Sequence, residues 1–309
     1  MITKEEISLF FDAQFGEWEL AANNYALLSK VRTRHIDLGG FEVLLQFNPE
    51  RIRSSSAKVD KKAVSARPCF LCKANRPQEQ QDLPFNDEYT ILINPFPIFR
   101  RHLTITCNSH TDQRILNSFD SLLEMARGLP GFVVFYNGPQ CGASAPDHLH
   151  FQAGDRGFMP LEKDYTDGLF TESVSCTDGI KLFLWKNYHR GIVTMSGSKA
   201  GNLSWVFREL YARFSAINPE LPEPMLNILA YHDTSGWIVH IIPRKKHRPD
   251  QYFRDEGKIL VSPASVDLGG VIITPREEDF KGIDRKTIID IFRQVCFDYD
   301  ELAGHIKGL

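Results

Sequence analysis

The sequence lacks any apolar run of membrane-spanning length, and it carries no excess of basic residues. Its 309 residues include 36 lysines and arginines against 39 aspartates and glutamates, a formal net charge of -3. A general nucleic-acid-binding protein would show a basic excess, and a membrane-spanning helix needs about 20 mostly apolar residues. We therefore expect neither nucleic acid nor a membrane as a partner. Local basic clusters remain sufficient to bind a small anion.

Cysteine is scarce, with six residues in the chain, and only Cys69 and Cys72 form a close pair. The first six residues, Met1–Glu6, include acids and lack the long apolar core of a signal peptide. We therefore expect a cytoplasmic protein whose thiols are mostly reduced. The apolar content of 42% and charged content of 24% are typical of a soluble globular chain.

The stretch 137–152 contains turn residues that follow a predicted strand. The strand is FVVFY at Phe132–Tyr136, which is apolar and rich in aromatic and β-branched residues. Gly138, Pro139 and Gly142 then break the extended pattern. The chain therefore turns directly after a buried strand.

The residues that follow this loop alternate between polar and apolar, which predicts a second strand. Successive side chains on a strand face opposite ways, so His148, His150 and Gln152 share one face. Leu149 and Phe151 then point into the core. Two imidazoles and an amide are expected above a loop of small residues with free backbone N–H groups.

Such a surface suits a phosphate group. Imidazole can attack phosphorus as a nucleophile, while backbone N–H groups, the Ser144 hydroxyl and the Gln152 amide can hold phosphate oxygens. Two histidines alone favour simpler interpretations, namely a His-x-His metal pair or two surface histidines. The full pattern of Asn-Gly, a small-residue loop, Ser and His-x-His-x-Gln favours the phosphate site.

This stretch resembles the histidine-triad superfamily, in the galactose-1-phosphate uridylyltransferase branch, where Gln replaces the third His. The segment HLHFQA at His148–Ala153 is most similar to the GDP-hexose phosphorylases, which act on GDP-L-galactose or GDP-D-glucose. Diadenosine tetraphosphate phosphorylases resemble it more distantly. In this branch the second histidine of the motif is the nucleophile. The resemblance therefore implies that His150 is the nucleophile.

The resemblance also implies roles for the neighbours of His150. Ser144 and Gln152 are expected to contact the transferring phosphate, and His148 to hold a metal or position the loop. The remaining residues of the loop are expected to fix the turn and shape the substrate side of the site: Asn137, Gly138, Cys141 and Gly142.

Cys69 and Cys72 form a Cys-x-x-Cys knuckle followed by turn residues. Such a pair suits two thiolate ligands of one tetrahedral zinc ion. The alternatives are a redox pair or two structural thiols, although a thioredoxin-like βαβ context is absent. The uridylyltransferases use a similar pair with a later His and the first motif His, which implies His110 and His148 as the other ligands. We expect a structural zinc and no organic cofactor.

Several further segments have more than one interpretation. The proline-rich corner at 94–102 is either a hairpin connection or, as the resemblance implies, the wall of a nucleoside pocket with Asn94, Phe96 and Arg100. The basic segment Arg51–Lys62 is expected to be a flexible solvated loop, with a nucleotide-contacting lid as the alternative.

The basic run Arg244–Arg248 is likewise expected to be a solvated loop. Its alternatives are recognition of a phosphate or hexose phosphate, or docking onto the first half. Gly269 and Gly270 indicate either a close backbone approach to a ligand or a turn before a strand.

Both halves of the chain have the predicted order strand, strand, helix, strand, strand. We therefore expect an α+β fold of two tandem histidine-triad-like units, each an antiparallel sheet with helices packed on it. The catalytic half is placed at 1–165, with an N-terminal helical arm expected only to dock, and the second half at 166–309. The second half is expected to be non-catalytic because its last strand keeps one histidine, His240.

The expected function is nucleotidyl transfer through a nucleotidyl-histidine on a nucleoside diphosphate-sugar, with GDP-hexose favoured by the resemblance. The acceptor is phosphate, a sugar phosphate or water. One alternative is a dinucleoside polyphosphate phosphorylase or hydrolase, and another is a non-enzymatic nucleotide- or zinc-binding protein. The related enzymes often pair, so a homodimer is expected.

Overall fold

The computed structural model describes residues 2–52 and 61–308, so most of the predicted loop Arg51–Lys62 lies outside the described residues. The strands are β1 (Arg32–Asp37), β2 (Glu42–Phe47), β3 (Leu83–Pro84), β4 (Tyr89–Ile93), β5 (His102–Cys107), β6 (Phe132–Asn137), β7 (His150–Asp155), β8 (Thr171–Thr177), β9 (Ile180–Trp185), β10 (Val193–Gly197), β11 (Leu226–Asp233), β12 (Gly236–Pro243) and β13 (Val271–Thr274). The helices are α1 (Lys4–Glu17), α2 (Glu19–Leu27), α3 (Lys61–Ser65), α4 (Phe119–Gly128), α5 (Pro160–Asp167), α6 (Ala200–Ser215), α7 (Ser265–Leu268), α8 (Glu277–Gly282), α9 (Arg285–Val295) and α10 (Tyr299–Ile306). In this part of the chain, no helix is both long enough and apolar enough to cross a bilayer.

Ten strands form one antiparallel sheet in the order β3-β4-β5-β7-β6-β11-β12-β10-β9-β8. The order β4-β5-β7-β6 in the first half is repeated as β9-β10-β12-β11 in the second. The two half-sheets join where β6 pairs with β11, from Asn137 opposite Asn227 to Val134 opposite Ala230. The predicted α+β class with an antiparallel sheet and packed helices is confirmed, while the boundary between residues 165 and 166 stays a prediction.

The large sheet is covered on both faces, and both cores contain residues of both halves. On one face the helices pack together, and the rings of Phe119 from α4 and Phe207 from α6 stack 3.8 Å apart. On the other face lies a small sheet in the order β1-β2-β13, with helix α9 contributing Phe292. Because each core contains residues of both halves, the apolar side chains of one unit are buried partly against those of the other.

Some elements of the structure were not predicted. The end of the chain forms two helices, because α9 ends at Val295 and Asp298 caps α10, accepting from the Glu301 N–H at 2.9 Å. Strands β1 (RTRHID) and β8 (TESVSCT) were not predicted. Each lies at the edge of a sheet, where polar side chains are common and the apolar alternation is weak.

In the second half, a buried histidine packed against aromatic rings stands on the last strand in place of the His-x-His-x-Gln motif. His240 on β12 pairs with Thr194 on β10, much as Gln152 on β7 pairs with Thr104 on β5 in the first half. It is fully buried, and the rings of Tyr165 and Trp185 contact it edge-on. That the second half is non-catalytic stays a prediction.

Gly154 on β7 lies against the ring of Phe99, where a Cβ would stand 2.5 Å from the ring carbons. We expect Gly154→Ala to lower the free energy of unfolding by about 1–3 kcal/mol, because the ring must shift in a packed core. Urea denaturation measures the change. Gly201→Ala is the control, since Gly201 lies in α6 with nothing within 4 Å of the added Cβ. Equal stability of the two variants would contradict the packing account.

Candidate active site

A cavity of about 600 Å³ opens beside β5, β6 and β7. One wall is apolar and is made by Trp18, Leu20, Phe70, Leu71, Pro77, Leu92, Pro95, Phe96 and Ile98. The floor comes from the sheet and the loop after β6, with Thr104, Phe135, Asn137, Gly142, Ala143, Ser144, His150 and Gln152. The third wall comes from the second half, with His247, Arg248, Ser262, Ala264, Val266, Asp267 and Ile273.

His150 lies on the cavity floor as a neutral imidazole with a defined tautomer. Its Nδ1 is 2.8 Å from the backbone oxygen of His148, to which it must donate. The proton on Nδ1 leaves the lone pair on Nε2. Burial lowers the pKa of His150 to about 4, so the ring is uncharged at neutral pH. These are the properties of a nitrogen nucleophile.

The Gln113 side chain holds the first residue of β7 in place. The β6–β7 ladder ends at Phe135 opposite Gln152, so the strands separate before His150. Gln113, which is fully buried, fills the gap with its amide. Its Oε1 accepts from the His150 N–H at 2.8 Å, and its Nε2 donates to the oxygens of His150 at 2.9 Å and Asn137 at 3.0 Å. Sequence reasoning missed Gln113, because a polar residue outside regular structure gives no pattern.

His102 fixes the orientation of the Gln152 amide. The Ile98 N–H donates to His102 Nδ1 at 3.2 Å, so the proton of this neutral ring lies on Nε2. That Nε2 is 3.0 Å from Gln152 Oε1 and donates to it. Full burial lowers the pKa of His102 to about 3, so the ring stays neutral. The Gln152 Nε2 group therefore remains to donate to a ligand in the cavity.

Hydrogen bonds to its side-chain oxygen also fix the orientation of the Asn137 amide. Its Oδ1 accepts from Asn227 Nδ2 and from the Ser265 N–H, each at 2.9 Å. Asn137 can therefore donate its side-chain N–H groups to a ligand. Ser265 also donates through its hydroxyl to the Tyr136 oxygen at 2.8 Å, which ties the third wall to the end of β6.

The loop after β6 supplies Gly142, Ala143 and Ser144 to the cavity floor. Gly142 has φ +99°, and a Cβ there would lie 2.5 Å from Ala264 Cβ, so only glycine fits. Gly138 and Cys141 were predicted at the substrate side but do not line the cavity. Cys141 is fully buried, which raises the pKa of its thiol to about 12 and keeps it neutral. Both residues shape the loop from behind.

Cys69, Cys72, His110 and His148 come together beside the cavity, with one ligand atom of each lying within 4.8 Å of the others. His148 Nδ1 is 3.3 Å from Cys69 Sγ and 3.5 Å from Cys72 Sγ, and His110 Nδ1 is 3.2 Å from Cys72 Sγ. Bonds of about 2.0–2.3 Å to a tetrahedral metal put ligand atoms roughly 3.3–3.8 Å apart. The four predicted ligands could therefore hold one metal ion.

His148 connects this cluster to the cavity floor. Its Nε2 donates to the Cys107 oxygen at 2.8 Å, which leaves Nδ1 unprotonated toward the thiols. Its backbone oxygen is the acceptor for His150 Nδ1. His148 precedes β7, which begins at His150, and its side chain does not line the cavity. The predicted shared face therefore holds only for His150 and Gln152.

Of the residues predicted at the proline-rich corner, Asn94 and Phe96 line the cavity, but Arg100 is exposed and lies outside the lining. The Asn94 amide is committed to the corner itself, donating to Thr104 Oγ1 at 3.1 Å and accepting from the Phe96 N–H at 3.0 Å. A substrate contact by Arg100 is therefore not supported.

The N-terminal arm does more than dock, because Trp18 and Leu20 line the apolar wall. Asn24 Nδ2 donates to the Pro95 oxygen at 2.7 Å, and the Tyr25 hydroxyl donates to the His102 oxygen at 2.9 Å. The arm therefore fixes the proline-rich corner against the sheet. The arm was expected only to dock, and its part in lining the cavity was not predicted.

Of the two remaining segments with alternative interpretations, the basic run differs from its expected role, and the glycine pair adopts one of its two alternatives. Within the basic run, Arg244 is buried, and His247 and Arg248 line the cavity, so the run is not simply a solvated loop. Gly269 and Gly270 lie outside the cavity lining. Gly270 has φ +102° directly before β13, which makes this pair a turn.

The sequence model of a protein family described as "Domain of unknown function (DUF4922)" matches residues 10–155. No curated protein matches the sequence. Among solved structures, the yeast Ap4A phosphorylase in complex with Ap4A is similar, with a TM-score of 0.63 and 15% identity over 91% of this chain and 97% of that chain. The same enzyme in complex with AMP has a TM-score of 0.61 and 17% identity over 91% and 96% of the two chains.

At these identities the likeness concerns the fold alone. The chain therefore shares the fold of that enzyme over most of its length. The narrower resemblance to GDP-hexose phosphorylases stays a prediction.

We expect Gln113→Leu to lower the free energy of unfolding by about 2–4 kcal/mol, because it leaves the His150 N–H and two carbonyl oxygens buried without their partner. Chemical denaturation measures this loss. Gln140→Leu is the matched control, since Gln140 is exposed on the loop after β6. A Gln113→Leu protein as stable as the control would mean that the gap between β6 and β7 closes without this amide.

Proposed function

We propose that the chain is a nucleotidyltransferase of the phosphorylase type, in which His150 carries a nucleoside monophosphate between two phosphate-bearing ligands. The observation that carries the proposal is the protonation state and position of His150. The ring is buried and neutral, its Nδ1 proton is held by the His148 oxygen at 2.8 Å, and it lies on the floor of a large cavity.

The proposed reaction has two displacements at one phosphorus atom. His150 Nε2 attacks the α-phosphorus, and the bond to the leaving oxygen breaks with its electron pair on the departing phosphate group. The Nδ1 proton stays on the ring and donates to the His148 oxygen, which stabilises the positive charge of the nucleotidyl-imidazolium. An acceptor oxygen then attacks the same phosphorus, and the electron pair of the P–N bond returns to Nε2.

Two fixed amides flank the nucleophile. Because Asn137 Oδ1 and Gln152 Oε1 are both occupied as acceptors, these side chains can offer only N–H groups to a phosphate oxygen. Ser144 adds a hydroxyl on the cavity floor. Such preorganised donors stabilise charge as it develops on the transferring phosphate without reorganising.

The charges around the cavity favour an anionic ligand. Among the described residues, Arg51, Arg67 and Arg248 line it, against the single acid Asp267. The apolar part of the lining, which includes Trp18 and Phe96, suits the faces of a nucleobase. A ligand with a base at one end and phosphates at the other matches both halves of this lining.

The donor is proposed to be a nucleoside diphosphate-sugar, and the motif resemblance favours a GDP-hexose. A dinucleoside polyphosphate is the second candidate, supported by the likeness in fold to the yeast Ap4A phosphorylase solved with Ap4A. A non-enzymatic protein that only binds nucleotide or metal is the third. The donor panel described below distinguishes the three. The expected homodimer remains part of the proposal.

We also propose that Cys69, Cys72, His110 and His148 hold a structural zinc ion. The set of two thiolates and two imidazoles is the donor chemistry that zinc prefers. A bound ion would fix the backbone of His148, whose oxygen orients His150. In this proposal the metal would hold the backbone rigid and would take no part in the reaction at phosphorus.

We expect Cys72→Ser to lower the zinc content from about one ion per chain toward zero and to slow nucleotidylation of His150, because the His148 carbonyl loses its support. Elemental analysis by mass spectrometry measures the metal. Cys176→Ser is the control, since Cys176 is exposed on β8. A wild-type protein purified without zinc, or a Cys72→Ser protein with a full complement, would refute the assignment.

The central experiment is intact mass spectrometry after mixing the protein with GDP-hexoses, ADP-glucose, UDP-glucose or diadenosine tetraphosphate in the absence of phosphate. We expect a mass gain of one nucleoside monophosphate with the true donor, and none in His150→Ala. His35→Ala is the control, because His35 is exposed on β1. An adduct that persists in His150→Ala would exclude this nucleophile. No adduct with any donor would favour the binding-protein alternative.

A further inference from the structure

A buried carboxylate of the second half bonds to two segments that support the cavity floor. Glu223 belongs to the connection between α6 and β11, and only 5% of its surface is exposed. Its Oε1 accepts from the Tyr136 hydroxyl and its Oε2 accepts from the Ile115 N–H, each at 2.6 Å. One acid of the second half therefore holds two segments of the first half.

Both of these segments belong to the support of the nucleophile. Ile115 lies two residues after Gln113. The Gln113 amide bonds to the backbone of His150 and to the Asn137 oxygen. Tyr136 directly precedes Asn137 on β6. The carboxylate and the Gln113 amide therefore connect the same two parts of the chain, the amide at the nucleophile and the carboxylate next to it.

The two bonds to Glu223 require the ionised form of this acid. A carboxylate accepts from both donors, whereas a protonated carboxyl turns one of its oxygens into a donor. The Ile115 N–H cannot accept that proton. The Tyr136 hydroxyl can accept it only by giving up its own bond to the carboxylate. A neutral Glu223 therefore holds at most one of the two segments as the ionised acid does.

The surroundings of Glu223 bring its ionisation close to neutral pH. Burial raises the pKa of Glu223 to about 7, although its two hydrogen bonds and the charge of Arg114 act in the opposite direction. Burial and the charge of Glu223 raise the pKa of Tyr136 on β6. They also raise the pKa of Tyr211 on α6 and of Cys141 in the loop after β6, each to about 12. These three neighbours stay neutral, so Glu223 is the member of this group that titrates near neutral pH.

We propose that Glu223 is a positioning residue for nucleotidyl transfer, whose ionised carboxylate holds the Gln113 segment and the end of β6 where His150 Nε2 can attack. This inference rests on the proposed function and adds a residue of the second half to it. Glu223 lies outside the cavity lining, so it acts through Gln113 and not on the substrate. Formation of the His150 adduct then requires the ionised acid and slows as the pH falls below neutrality.

The first test follows the rate of adduct formation against pH, by intact mass spectrometry with the donor and without phosphate. We expect the wild-type rate to rise about fivefold or more between about pH 6 and pH 8.5, with its midpoint near 7. In Glu223→Gln we expect a slow rate without this midpoint. Glu220→Gln is the control, because Glu220 is exposed in the same connection. A midpoint near 7 that persists in Glu223→Gln, or a wild-type rate that is independent of pH, would overturn the proposal.

Tyr136→Phe distinguishes this role from a merely structural one, and it also decides the question if Glu223→Gln does not fold. The variant keeps the ring, which packs near Phe151, and removes one donor to the carboxylate. Because a carboxylate that loses a hydrogen bond is harder to ionise, we expect the midpoint of the rate profile to move at least about 0.5 pH higher. An unchanged midpoint would mean that the titrating group is not the acid bonded to Tyr136.

The second test uses no donor and is independent of the reaction. Hydrogen exchange of the His150 backbone N–H, followed by NMR, reports whether Gln113 still holds it. We expect this N–H to exchange about tenfold faster or more in Glu223→Gln than in Glu220→Gln at the same pH, because local opening becomes easier. Equal exchange rates in the two variants would overturn the inference.

The two tests separate failure of this inference from failure of the proposed function. Faster exchange in Glu223→Gln, in a protein that never forms an adduct, would retain the support by Glu223 and reject the transferase. An adduct that forms in Glu223→Gln with the rate and the pH dependence of the wild type would retain the transferase and reject the positioning role.

Discussion

The side-chain amide of Asn227 joins the parts on which the cavity depends. It is fully buried, and its Nδ2 donates to Asn137 Oδ1 at 2.9 Å and to the Cys141 oxygen at 2.8 Å, while its Oδ1 accepts from Arg244. The seam between the half-sheets, the loop after β6 and the basic run therefore meet at one residue. Because a buried amide is costly to leave unpaired, these three parts hold a single relative arrangement.

The cavity brings neutral imidazoles and guanidinium groups close together. His150 and His102 lie at the buried sheet, where desolvation lowers the pKa of each imidazole and keeps the rings uncharged. The charge of Arg51 lowers the pKa of His102 further, and burial lowers the pKa of Arg51 itself only to about 10, so this guanidinium stays charged at neutral pH. A neighbouring cation therefore helps to keep an imidazole unprotonated, and it also attracts a phosphate-bearing ligand.

The sequence predicted the elements whose patterns are local. The alternation from His150 to Gln152, the apolar strand Phe132–Tyr136 and the Cys69–Cys72 knuckle lie where they were expected. The edge strands were missed because their side chains are polar. Gln113 and His102 could not be assigned, because their roles arise from contacts across 24 to 50 residues of chain. Arg100 lies outside the cavity lining, and a basic cluster does not reveal which of its members faces inward.

The pairing of β6 with β11 has a consequence for any attempt to isolate the part of the chain that contains the motif. The family match covers residues 10–155, yet a fragment with those limits would lose the partner strand of Phe132–Asn137. A central, fully buried strand would become an open edge with unpaired N–H and C=O groups, which is a template for aggregation. Insolubility of such a fragment would therefore report on a severed sheet and not on an unstable motif.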